Sequence, residues 1–131
     1  MKKLIVISLL LISSISYCQT AQELKIRGDL KRSVKLHYEA IANYTKAINI
    51  NPSYAKAYNN RGIAKSNLKD FEGAVSDYTK AIELNPFYRE AYYNRGIARY
   101  YLSDINGACQ DARKAKSLLF DSSILIYAVC N

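Results

Sequence analysis

The sequence predicts an all-α protein, an α-solenoid of three stacked helix-turn-helix units. Three observations carry that expectation. First, blocks of sequence recur at an offset of 34 residues. Arg61-Gly62-Ile63-Ala64 returns as Arg95-Gly96-Ile97-Ala98, and Tyr44-Thr45-Lys46-Ala47-Ile48 returns as Tyr78-Thr79-Lys80-Ala81-Ile82. Second, small residues stay in register through all three units: Gly28, Gly62 and Gly96; Ala40, Ala74 and Ala108; Ala47, Ala81 and Ala115. Third, the apolar residues inside a unit recur at i, i+3 and i+4, the spacing of a helix with one buried side. The units run 21–54, 55–88 and 89–122, with residues 19–131 forming one domain.

The 131 residues suit one domain, with 50% hydrophobic and 23% charged residues in the ordinary globular range. Five glycines and two prolines exclude a collagen-like or low-complexity chain. The chain begins outside the repeats. Met1-Lys2-Lys3 is a basic head, Leu4–Ile12 is an apolar run, and Ser13–Cys18 is mostly small and polar. That order predicts a signal peptide over residues 1–18 and an exported, periplasmic or secreted protein. The apolar run is far short of the ~20 residues that span a bilayer as a helix. Ser16 and Cys18 are the small residues that a cut before Gln19 needs. The alternative is acylation of Cys18, which Tyr17 disfavours because a small residue belongs there.

The second unit shows the local logic. Ala55 to about Leu68 reads as a helix with Tyr58, Gly62, Ile63 and Ala64 on its inner side. Lys69-Asp70 breaks it, and Asp70 is a candidate N-cap. Phe71 to Leu84 reads as the second helix, with Phe71, Ala74, Val75, Tyr78, Ala81 and Ile82 in helical spacing. Asn85-Pro86 ends it, because proline cannot extend the preceding helix. A mid-helix glycine costs about 1 kcal/mol against alanine. Three glycines in register therefore mark close approach of another helix, and Gly62 is expected to face Ala74 at the crossing. Residues 123–131 form a short apolar tail.

These residues resemble the tetratricopeptide repeat (TPR) family. The second unit carries Tyr58, Gly62, Phe71, Ala74, Tyr78, Ala81 and Pro86 at that family's positions. The first carries Leu24, Gly28, Ala40, Tyr44, Ala47 and Pro52, with His37 at an aromatic position. The third carries Tyr92, Gly96, Ala108 and Ala115, but Ile105, Ala112 and Phe120 replace two aromatics and the proline. The resemblance implies that residues 123–131 are a short capping helix over the last repeat. It also raises the prospect of a Cys109–Cys130 disulfide, the alternative being two separate thiols.

The resemblance further implies a concave groove lined by the first helix of each unit. The lining residues would be Lys25, Ile26, Asp29, Arg32 and Ser33, then Lys56, Asn59, Asn60, Ile63, Ser66 and Asn67. Glu90, Tyr93, Asn94, Ile97, Tyr100 and Tyr101 would complete it. Asn60 and Asn94 would pair with the backbone of an extended peptide. The carboxylate clamp of chaperone-binding members is only partly present: Lys25 and Asn60 match, whereas Asp29, Glu90 and Asn94 depart. Arg61 and Arg95 are expected to pair with acids between repeats.

No site chemistry is expected. His37 is the single histidine and reads as a half-buried substitute for an aromatic. No close-spaced metal motif and no phosphate-cradling glycine loop can be written. The expectation is a non-enzymatic scaffold without a cofactor, binding a protein or peptide. Loss of Lys2 and Lys3 leaves 17 basic and 11 acidic side chains, net +6. That charge is spread over the units, so acidic envelope polymers or lipids are an alternative partner and nucleic acid is not an expected one. The apolar tail offers a further alternative, a homodimer.

Overall fold

The computed structural model describes residues 19–131; the signal peptide, its cleavage after Cys18 and the Cys18 acylation alternative lie outside those residues. The described residues form helices α1 (Ala21–Ser33), α2 (His37–Ile50), α3 (Ala55–Asn67), α4 (Phe71–Leu84), α5 (Arg89–Tyr101), α6 (Ile105–Ser117) and α7 (Ser123–Cys130), with no strand among them. Each helix packs on its neighbours in the chain. The first helices of successive units also touch, α1 on α3 and α3 on α5. Because α7 touches α5 in the same way, it stands where a fourth unit would begin.

The starts and stops follow local chemistry. The Thr20 hydroxyl accepts from Glu23 N–H, and the Glu23 carboxylate accepts from Thr20 N–H, which caps α1. Asp70 and Asp104 accept from the N–H of Gly73 and Gly107 at 3.0 and 2.9 Å, capping α4 and α6. Lys35, Lys69 and Ser103 follow the first helices with φ near 62°, so the chain turns in the left-handed region without glycine. Asn51 and Asn85 end the second helices, and each side chain accepts from the N–H two residues on. The third unit lacks Asn-Pro, and Leu119 at φ 64° ends its second helix instead.

The core is a row of small clusters strung along the stack. Leu24, Ala47, Ile48 and Ala57 join units one and two, as do Ala40, Tyr44 and Ala64. Ala74, Tyr78 and Ala98 join units two and three. Ala108, Ala112, Leu125 and Val129 bind α7 to α6. The glycine partner differs from expectation. A methyl at Gly62 would lie 2.7 Å from the Tyr78 ring, and one at Gly28 would lie 2.5 Å from the Tyr44 ring. The glycines thus make room for tyrosine rings reaching across from the second helix, not for Ala74. In unit three that tyrosine is Ala112, and the nearest atom to a methyl at Gly96 is Leu125 Cδ2 at 3.0 Å. The side chain of α7 takes over the space. A Cys109–Cys130 disulfide, with Cα atoms 5.2 Å apart, ties α7 to α6.

Arg61 and Arg95 also differ from expectation. Arg61 forms a two-pronged pair with Asp77 at 2.7 and 2.9 Å, and Arg95 does the same with Asp111 at 2.8 and 2.9 Å. Both acids lie in the arginine's own unit. Lys65 and Arg99 add a second cation to each acid at 2.9 Å. Each arginine also reaches the preceding unit, donating at 3.0 Å to the neutral hydroxyl of Thr45 or Thr79. A planar guanidinium offers donors in several directions, so one arginine can hold two elements at once.

Candidate functional site

The face formed by α1, α3 and α5 carries the candidate groove residues, and they fall into two groups. The first is a hydrogen-bond ladder across all three units. Asp29 Oδ1 accepts from the Tyr44 hydroxyl at 2.7 Å and from Asn60 Nδ2 at 2.8 Å. Asp29 Oδ2 meets Lys25 Nζ at 2.7 Å. Asn60 Oδ1 accepts from Asn59 Nδ2 at 3.2 Å, and Asn59 Oδ1 accepts from Asn94 Nδ2 at 3.2 Å. Arg32 Nε donates to the Tyr44 hydroxyl at 3.3 Å.

Electrostatics follows from these contacts. Burial pushes the Asp29 carboxyl pKa up, but hydrogen bonds from Lys25, Tyr44 and Asn60 outweigh it and leave the pKa below the ordinary value. Burial, reinforced by donation to Asp29, raises the Tyr44 pKa. Burial also raises the Tyr88 pKa to about 12, with the nearby Glu90 charge adding to it.

This ladder gives the asparagines partners within the protein. Asn59 is buried, at 4% exposure, and its amide serves its neighbours. The Asn60 and Asn94 amide nitrogens donate to Asp29 and Asn59, where a peptide backbone was expected as partner. Adjacent helices bring polar side chains within reach of one another, and a buried amide takes the nearest partner.

The second group is aromatic. Tyr101 stacks on Phe71 with centroids 4.6 Å apart and planes at 7°, and Tyr100 meets Tyr101 edge-on at 5.9 Å. Ser66, Asn67, Lys69, Phe71, Ile97 and Tyr101 line an open cleft of about 380 Å³ between units two and three. Four expected groove residues, Ser66, Asn67, Ile97 and Tyr101, meet there. Tyr101 is 61% exposed, so its outer face is open to a partner.

The remaining expected residues spread out. Ile63 packs with Phe71 and Val75 beside the core. Tyr93 and Ile97 lean on the cluster under α7, and the Tyr93 ring lies 5.0 Å from Phe120. Lys56 is exposed, and Glu90 pairs with Arg89 at 3.2 Å. Sequence reasoning missed Tyr44 and Phe71 as site residues. Both read as core by helical spacing, and only the hydroxyl of one and a ring face of the other reach the groove side.

Elsewhere, His37 is half-buried with its Nδ1 unpaired. Among the described residues no group of His, Cys, Asp and Glu is arranged to hold a metal ion, and no helix is long and apolar enough to cross a membrane.

Comparison with known proteins places this geometry. The tetratricopeptide repeat model matches residues 55–88, and a second TPR repeat model matches residues 37–69. No curated protein matches by sequence. The first TPR of Spaghetti (RPAP3), solved bound to the HSP90 peptide SRMEEVD, is 31% identical with a TM-score of 0.83; the match covers 86% of this chain and 91% of that one. The first TPR domain of human RPAP3 is 31% identical with a TM-score of 0.81, over 85% of this chain and 90% of that one. The second TPR domain of human RPAP3, in complex with the HSP70 peptide SGPTIEEVD, is 28% identical with a TM-score of 0.81, over 85% and 95%. Repeat register, helix pairing and these likenesses agree, and the chain belongs to the tetratricopeptide repeat family.

Proposed function

We propose that the protein is a non-enzymatic scaffold that binds an extended segment of a partner protein along the α1–α3–α5 face. The observation that carries this reading is the cleft between units two and three. It offers exposed Asn67, Lys69 and Tyr101 side chains over the half-buried Ser66, Phe71 and Ile97, with Tyr101 stacked on Phe71. Exposed tyrosine with adaptable polar neighbours is a composition suited to protein recognition. The RPAP3 domains solved with chaperone peptides support peptide binding as the use of such a face. We further propose export with cleavage after Cys18, a reading supported by the order of residues 1–18 and by a disulfide suited to an oxidising compartment. The intact mass of the exported protein tests it: added acyl mass on Cys18 would overturn cleavage at that point.

A photo-crosslinking residue placed at Tyr101, or at the exposed Lys80 on α4, tests the groove directly. A native partner captured through Tyr101 and not through Lys80 supports the reading. Capture through Lys80 alone moves binding to the opposite face. Covalent dimers of the chain itself would instead favour self-association, to which the exposed Leu119, Ile124 and Tyr127 point.

A further inference from the structure

We propose that Asp29 fills an anion site of the groove from within, so that the groove accepts an internal segment of its partner and rejects a terminal carboxylate. This rests on the groove reading above. Donors from three helices converge on one point: the Lys25 ammonium of α1, the Tyr44 hydroxyl of α2 and the Asn60 amide of α3. The Arg32 guanidinium stands behind Tyr44. An ammonium, a hydroxyl and an amide aimed at one place are what a carboxylate requires. Here the carboxylate belongs to the chain itself.

The packing does not demand an acid at this position. The same register in units two and three holds Ile63 and Ile97. The acid is therefore a feature of the first unit's surface, not of the helix-pair design. Asp29 also remains within reach of a ligand, since its side chain is 30% exposed and that of Lys25 19%. An incoming carboxylate would meet a like charge and donors already taken. A neutral backbone or a basic side chain would meet an accepting oxygen edge.

The test uses N-terminally labelled SRMEEVD, the peptide held by the RPAP3 domain, and the same peptide with its C-terminus amidated. Fluorescence polarisation is read with the full chain, and the RPAP3 domain serves as positive control. The wild-type protein is expected to show no saturable binding of the free-acid peptide. Asp29→Asn removes the charge and is expected to bind the free acid about tenfold tighter than the amide, the effect of one charge-assisted hydrogen bond regained. Asp29→Ser opens the same site with a smaller side chain and serves if the asparagine variant loses helicity by circular dichroism.

Wild-type binding of the free acid within threefold of the variant's affinity would overturn the proposal. So would a folded variant that binds neither peptide or does not tell acid from amide. Such a failure, with crosslinking through Tyr101 intact, removes the role of Asp29 alone. Absence of partner crosslinks at Tyr101 removes the scaffold reading, whatever the peptides do.

Discussion

Gly28 shows how one residue sets the distance between two helices. Its missing side chain lets the Tyr44 ring pass, and a methyl there would sit 2.5 Å from Tyr44 Cε1. Overpacking costs about 1–3 kcal/mol, whereas alanine gains about 1 kcal/mol over glycine in a helix. Gly28→Ala is therefore expected to lower the thermal midpoint, at about 4 °C per kcal/mol. Gly96→Ala is expected to do less, because its nearest neighbour is the movable end of Leu125 at 3.0 Å. Equal drops in the two melting curves would sink this account. The tyrosine rings impose a pH limit as well. Burial pushes the Tyr78 pKa up to about 12 and raises that of Tyr44 further. The folded state favours the protonated phenol, so this contribution is whole below pH ~10 and is lost as pH rises through the folded pKa. Stability should hold at pH 7–9 and then fall by about 1.4 kcal/mol per pH unit for each such tyrosine. Tyr78→Phe should flatten that fall in denaturant melts, and an unchanged slope would count against it.

Helix α7 is short and apolar, and its two sides have different fates. Leu125 and Val129 are 6% and 5% exposed, whereas Ile124 and Tyr127 are 85% and 78% exposed. Leu125 occupies in unit three the place that Tyr44 and Tyr78 occupy in units one and two, opposite the glycine. Ala112 and Leu125 thus form a matched exchange: a small residue on α6 admits a larger one from α7. Leu125→Ala is expected to cost about 2–5 kcal/mol, as a buried leucine does. Ile124→Ala is expected to stay within about 0.5 kcal/mol, as exposed sites do. Chemical denaturation of the two variants separates the sides, and similar losses would mean that α7 packs differently.

At the largest scale, helix contacts among the described residues run only between near neighbours in the stack. Stability in such arrays is close to a sum of local units and their interfaces. The Cys109–Cys130 bridge closes a loop with a separation of 21 residues, which contributes about 3 kcal/mol in the chain-entropy model. Reduction should therefore loosen the molecule from one end. Hydrogen exchange is expected to speed up in α7 and α6 while α1 to α4 keep their protection. A uniform loss of protection would mean that the array unfolds as one block.

The repeat, the helix pairs, their breaks at Asp70 and Asn85-Pro86, and membership of the family were legible in the sequence alone. The reason is that these features are local. Periodicity of 3.6, capping and proline stops act within one turn of a helix, and a repeated unit writes the same instructions three times. Lys56, Asn67 and Tyr101, which the family resemblance implied for the groove, are exposed. Only the tertiary structure decided what those side chains touch. It set Gly62 against Tyr78, turned Arg61 to an acid of its own unit, and spent the amides of Asn59, Asn60 and Asn94 on a ladder ending at Asp29. Register gives the direction in which a side chain leaves its helix. Its partner depends on the spacing and rotation of the next helix, which many small packing contacts settle together.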